Sequence, residues 1–243
     1  MQFIKFNAID STSAYLRRLM TNEGAKDGSV VWALEQTKGR GQPGKSWHSE
    51  GFKNLTFSVL RKYRRFPARE HFLLNIQVSL AILRVLSRYG IPNLKVKWPN
   101  DIMAGSKKIC GILIENQLQG DQVKHSIIGI GMNVNQKQFS DLPHATSIAI
   151  ETGKSYELET LLRELCTAVL DAIPHIVTLP VAHQRGDYEQ VLFGFMEKRE
   201  FEDIPGNRFK GIILGVDPQG LLVLELEDGM RKAYDFQSIR FVL

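Results

Sequence analysis

The chain has 243 residues, 43% hydrophobic and 23% charged, with 31 Lys or Arg against 26 Asp or Glu and a formal net charge of +5. This composition fits one large domain or a medium domain plus a small one, and excludes a disordered chain, a collagen-like repeat and a disulfide-stapled miniprotein. No stretch approaches the roughly 18 uncharged apolar residues of a membrane-spanning helix, and Met1 to Asp10 lacks the basic-then-apolar order of a secretory leader, so a cytoplasmic chain is expected.

Ser11-Thr12-Ser13 places hydroxyls before the amphipathic run Ala14 to Met20, which predicts a capped helix start. Ser29 to Leu34 reads as a strand, Lys38 to Gly51 as a glycine-rich basic loop, and Asn54 to Leu60 as the next strand. His71 to Arg88 is apolar on most sides, a buried helix ended by Gly90 and Pro92. Lys95 to Trp98 alternates until Pro99-Asn100-Asp101 cuts it, and Ile109 to Glu115 with Val123 to Ile130 flank a Gly120-Asp121 turn as a hairpin. Leu158, Leu161, Leu162, Leu165, Val169 and Ile173 share one helical face that Pro174 stops. Strands and helices without regular βαβ alternation predict a mixed α+β sheet. Beyond about residue 190, short β-type segments at 210–216, 221–227, 230–236 and 239–243 alternate with turns at Asp217-Pro218-Gln219-Gly220 and Asp228-Gly229. The expected division is therefore a large domain over 1–190 and a small β-barrel over 191–243. Cys110 and Cys166 sit in apolar surroundings far apart and read as two reduced core thiols.

Charge is uneven. Residues 191–243 hold seven basic and nine acidic side chains, so the excess lies upstream; between Lys38 and Arg69 nine cations face only Glu50. Such a field attracts phosphates, nucleic acid or an acidic partner. Gly39-Arg40-Gly41-Gln42-Pro43-Gly44-Lys45-Ser46-Trp47 satisfies a bare G-x-G-x-x-G spacing, yet the dinucleotide reading fails: Pro43 and Trp47 interrupt the helix start, and Val59 to Lys62 is basic where a ribose-binding acid belongs. No P-loop spacing exists either. What remains is a loop whose backbone N–H groups approach an anion closely, with Arg40 and Lys45 as cations and Trp47 as a flat face for a base. Lys97-Trp98-Pro99-Asn100-Asp101, then Lys108 before an apolar run, then Gly129-Ile130-Gly131-Met132-Asn133-Val134-Asn135, add three more polar or glycine-bearing strand ends. Together they predict one pocket for a planar, anionic ligand.

Gly-Arg-Gly followed by Trp, Lys-Trp-Pro-Asn-Asp, Lys-x-x-Gly-Ile-Leu-x-Glu and Gly-Ile-Gly-x-Asn, in that order, resemble the biotin protein ligases (biotin–[acetyl-CoA-carboxylase] ligases) over essentially the whole chain. The resemblance implies a large α+β domain related to class II aminoacyl-tRNA synthetases and a small SH3-like C-terminal barrel. The match starts at the catalytic domain, which implies the monofunctional type without a DNA-binding domain. It further implies ATP and biotin as substrates, Mg²⁺, a biotin carboxyl carrier domain as acceptor, and neither DNA nor membrane as partner; monomer and homodimer both stay open. Carried over by motif, Ser11, Thr12, Ser13, Gln36, Arg40, Gly41, Gln42 and Lys108 meet biotin, while Lys45, Trp47, Asn133 and Arg240 meet the nucleotide. Arg40, Lys108 and Asp101 are the implied catalytic groups; no metal ligands are assigned. Gln42 stands where the common pattern has arginine, which removes a planar phosphate donor. The alternatives are a lipoate–protein ligase, with the same two-step chemistry, and a nucleic-acid-binding module built on the basic segment.

Overall fold

Strand alternation divides the central sheet into two faces of different chemistry. The computed structural model describes residues 1–22, 24–140 and 142–242. The sheet is built from β1 (Gln2–Ile9), β2 (Ser29–Gln36), β3 (Leu55–Lys62), β4 (Leu94–Lys97), β5 (Asp101–Ala104), β6 (Lys107–Gln119) and β7 (Gln122–Met132). Their order is β1-β2-β3-β7-β6-β5-β4, with β1 and β2 parallel and the other neighbours antiparallel, so the expected mixed sheet is present. Side chains alternate between faces. Phe57 and Val59, Ile112, and Ile128 and Ile130 therefore enter the main core, while Val31, Leu60 and Ile127 point the other way, into a small cluster with Leu16.

The main-core face is covered by α2 (Phe72–Arg88) and α4 (Leu158–Ala172). α2 is apolar all round and buried on nearly every side, as a central helix must be. α4 is amphipathic, and its N-terminus is capped by Glu157, whose carboxylate accepts from the Glu159 and Thr160 N–H groups. The short helices α3 (Ile148–Thr152), α5 (His175–Thr178) and α6 (Val181–Gln190) complete this side; α6 packs on α2. Among the described residues α1 (Thr12–Asn22) is the one helix that covers the opposite face, over β2, β3 and β7. Ser11 caps it: its carbonyl accepts from Tyr15 N–H at 2.9 Å and its hydroxyl from Ala14 N–H at 3.4 Å. One short helix cannot cover the whole face, and the uncovered part becomes the site.

The expected C-terminal barrel is a five-stranded antiparallel sheet, β11-β10-β9-β8-β12. It comprises β8 (Lys198–Asp203), β9 (Arg208–Val216), β10 (Leu222–Leu226), β11 (Arg231–Tyr234) and β12 (Ile239–Phe241). Its inward side chains Phe201, Ile213, Leu222 and Leu224 are continuous with the main core. Two seams join the sheets. Val96 N–H donates to Val191 O and Phe193 N–H to Val96 O, both at 2.8 Å. The buried Trp98 Nε1–H donates to Gly220 O at 2.8 Å, tying the β4–β5 turn to the turn before β10. Both cysteines are free and buried.

Gly220 has φ +86°, and a Cβ there would stand 2.3 Å from the Phe72 ring. Gly229 has φ +81° with open space around it. Gly220→Ala combines left-handed strain with overpacking and should cost about 3 kcal/mol or more, whereas Gly229→Ala should cost about 1 kcal/mol. Urea unfolding of the two variants measures the difference.

Candidate active site

Three glycines leave a bare floor on the half-covered face. Gly129 and Gly131 are two apart in β7, and Gly111 of β6 is the register partner of Gly131, so all three present backbone on the α1 side. Side chains from elsewhere fill that space. A Cβ on Gly131 would lie 2.4 Å from the Trp47 indole, one on Gly111 3.0 Å from the same ring, and one on Gly129 3.0 Å from Ser13 Oγ. The loop carrying Trp47 is held by its own close contacts: Trp47 N–H donates to Gly39 O at 3.0 Å, and a Cβ on Gly39 would stand 2.3 Å from Trp47 O. Only glycine at 39 lets the loop fold back and lay the indole on the sheet.

Around this floor lies a pocket of about 130 Å³ that opens past the glycine loop onto a groove of about 850 Å³. The pocket is lined by Ser11, Thr12, Ser13 and Gln36; Arg40, Gly41, Gln42, Lys45 and Trp47; Asp101; Lys108; and the backbone of Gly129 to Gly131. At one end hydroxyls and an amide form a connected array. Gln36 Oε1 accepts from Thr12 N–H at 2.8 Å and from its hydroxyl at 3.1 Å; Ser58 Oγ pairs with Thr12 Oγ1 at 2.8 Å and Ser13 Oγ at 3.0 Å. Such a buried network presents fixed donors and acceptors to a small polar group.

At the other end cations gather, and two of them, Lys108 and Arg40, are paired with carboxylates. Lys108 Nζ is 2.6 Å from Asp101 Oδ1 and 5.4 Å from the Trp47 ring centroid. Arg40 lies 3.7 Å from Glu115, which Arg17 also holds at 2.6 Å. Lys97 is half-buried behind Asp101; burial lowers its pKa, and the nearby Asp101 carboxylate works against that shift. An incoming anion thus meets cations already neutralised and must compete for them.

Gln42 lines the pocket, and its Nε2 donates to Asn100 Oδ1 at 3.1 Å, fastening the loop to the Trp98-Pro99-Asn100 turn. Two of the expected residues lie elsewhere. Asn133 and Arg240 do not line the pocket. Asn133 is buried, with Nδ2 donating to Thr146 O at 2.9 Å, and so props the segment beside Lys108 rather than facing a ligand. Arg240 lies on β12, exposed and ion-paired with Glu202, because the short register of that strand turns it toward β8. The basic run also divides. Lys45 and Arg40 reach the pocket, but Arg61, Lys62, Arg64 and Arg65 line a separate groove at the far end of β3. Asn100 belongs to a string that the sequence marks, whereas Ser58 was missed. The one signal for Ser58 is a hydroxyl breaking the apolar strand Leu55 to Leu60, at a position that alternation puts on the half-covered face.

Residues 5–133 match the biotin/lipoate A/B protein ligase family, and residues 200–236 match the biotin protein ligase C-terminal domain. The bifunctional ligase/repressor BirA of Bacillus spizizenii is 28% identical over 238 residues, which cover 96% of this chain and 72% of that protein. The biotin–[acetyl-CoA-carboxylase] ligase of Mycobacterium tuberculosis is 28% identical over 227 residues, 89% of this chain and 80% of that one. A biotin protein ligase from Aquifex aeolicus, solved in complex with biotin and ATP, superposes with a TM-score of 0.80 at 24% identity, covering 99% of this chain and 98% of the other. The chain is an enzyme of the ligase class. It belongs to the biotin/lipoate A/B protein ligase family.

Gly131→Ala should lift the indole off β7, since no Cβ fits beneath it. The expected result is a red shift of indole emission that is absent in a Trp47→Phe background, with a stability loss of about 1–3 kcal/mol.

Proposed function

We propose that the chain is an ATP-dependent biotin–protein ligase, with the pocket described above as its active site. The observation that carries this reading is the convergence of Trp47, Lys108 and the paired glycines 111 and 131 on one pocket that ends in the Ser11–Ser13, Gln36 and Ser58 array. That array suits the N–H and C=O groups of a ureido ring, which a lipoyl dithiolane lacks. This is the physical ground for preferring biotin.

In the first step a biotin carboxylate oxygen attacks the α-phosphorus of ATP. The bond from that phosphorus to the bridging oxygen breaks, and pyrophosphate leaves with the electron pair. Lys108, with Arg40 and Lys45, stabilises the negative charge that grows on the phosphoryl oxygens. In the second step the amine of an acceptor lysine attacks the carbonyl carbon of biotinyl-5′-AMP, AMP departs with the C–O electron pair, and Asp101 accepts the amine proton. The loop, held down by Gln42 and Asn100, shields the mixed anhydride from water. Mg²⁺ neutralises phosphate charge when bound. Among the described residues no group of three His, Cys, Asp or Glu side chains is arranged for a metal; Mg²⁺ would be carried by the nucleotide phosphates, and no side chain is assigned to it. The acceptor is a biotin carboxyl carrier domain, and the division near residue 190 separates the catalytic unit from the small sheet that braces the Trp98 turn.

Purified protein should transfer labelled biotin to a carrier domain with ATP present, and excess lipoate should not compete. Lys108→Ala should retain biotin binding yet lose biotin-dependent pyrophosphate–ATP exchange by roughly 10²–10³-fold. Undiminished exchange removes Lys108 from its role.

A further inference from the structure

Lys97 is out of place for an ordinary strand lysine. It ends β4 and is half-buried, with its ammonium 5.1 Å from the Phe241 ring of β12. Among the described residues no carboxylate lies within 4 Å of it. Burying an ammonium without an ion-pair partner is unfavourable, so a partner within reach is the reason to look for. Lys97 and Asp101 are opposed residues, the closing pair of the β4–β5 turn. Opposed side chains share a face at about 5 Å between Cβ atoms. The charged groups that Lys97 feels are Asp101, Lys108 and Lys45, so a single carboxylate stands among three lysines. Lys108 holds that carboxylate.

We propose that Lys97 is a positioning residue for the second step: it receives the Asp101 carboxylate when Lys108 turns from it to the substrate. The proposal rests on the two-step reading above. The biotin carboxylate and the phosphates draw Lys108 away from Asp101, because one ammonium close to several negative oxygens is held by the larger charge. Without a second cation, Asp101 would then stand as a bare anion beside phosphate, disfavoured by like-charge repulsion and by partial burial. Lys97, across the turn, keeps it ionised and drawn back from the phosphate. There it accepts one proton from the attacking amine as the C–N bond forms and the C–O bond to AMP breaks. The ion-pair exchange therefore orders the reaction: while Lys108 is on Asp101 the acceptor has no base, and once Lys108 is on the adenylate it does. Phe241 sets the desolvation of Lys97, which gives the C-terminal sheet a direct hold on the second step.

The two half-reactions separate this role from a structural one. Adenylation is read as biotin-dependent pyrophosphate–ATP exchange, and transfer as single-turnover movement of biotin from preformed biotinyl-5′-AMP to a carrier domain, both across pH. In Lys97→Met, which keeps the packing on Phe241, the ratio of transfer to adenylation should fall at least about tenfold. Lys97→Arg should restore that ratio. Should Lys97→Met fold poorly, Lys97→Gln removes the same charge for the same comparison. A ratio unchanged from wild type, or an arginine variant as impaired as the methionine one, overturns the proposal. Wild-type protein lacking biotin-dependent exchange overturns instead the function it rests on.

Discussion

The site depends on the absence of three side chains. Gly111, Gly129 and Gly131 strip one face of β6 and β7 to backbone, and Trp47, Lys108 and Ser13 come down onto that bare surface. A methyl group at Gly131 would collide with the indole at 2.4 Å. Strand pairing makes the arrangement rigid: Gly111 and Gly131 are locked opposite each other by a ladder running from Cys110 to Gln119. Interiors pack to crystal-like density, so a gap of this kind persists only where something else fills it. Here it is filled by the loop from Gly39 to Trp47, and the resulting pocket, at about 130 Å³, is smaller than the several hundred Å³ usual for small-molecule sites. The adjoining groove of about 850 Å³ extends the space beyond the indole.

The second organising feature is charge compensation. Lys108 is neutralised by Asp101 and Arg40 by Glu115, which has Arg17 as well. Unpaired cations would be costly to hold together in a pocket. Pairing Lys108 and Arg40 with carboxylates offsets that cost, and an arriving anion can displace the carboxylate. The same pairs set what the carboxylates are free to do once displaced, which links substrate capture to later chemistry. The C-terminal sheet enters through Trp98 to Gly220 and through Phe241 over Lys97, both acting on the turn that bears Asp101.

Much of this was legible in the chain. The caps, turns and alternation located α1, α2, α4, β2, β3, β4, β6 and β7 because each carries a strong local pattern, whereas the four residues of β5 (Asp101–Ala104) are too few to show one. β1 was missed because Lys5 and Asn7 dilute its apolar residues at an edge position, and β8 because Lys198, Arg199, Glu200, Glu202 and Asp203 surround a single buried Phe201. Edge and half-exposed strands tolerate charge, so composition hides them. Most of the site residues came together in the pocket, whereas Asn133, though on a motif string, and Arg240 were turned aside by partners, Thr146 and Glu202, that no short string reveals.

By itself the sequence determined which residue types stand at which strand ends: glycines where backbone must be approached, lysines where charge is needed, hydroxyls before the first helix. Local rules of turn, cap and alternation suffice for that, since they act over a few residues. Only the tertiary structure decided which of those ends meet. It sent Arg61, Lys62, Arg64 and Arg65 to the far end of β3, away from Arg40 and Lys45, and it set Gln42 on Asn100 and Lys108 on Asp101. Strand length is the reason: the eight residues of β3 carry the chain by roughly 3.3 Å each, so charges adjacent in sequence end on opposite sides of the sheet.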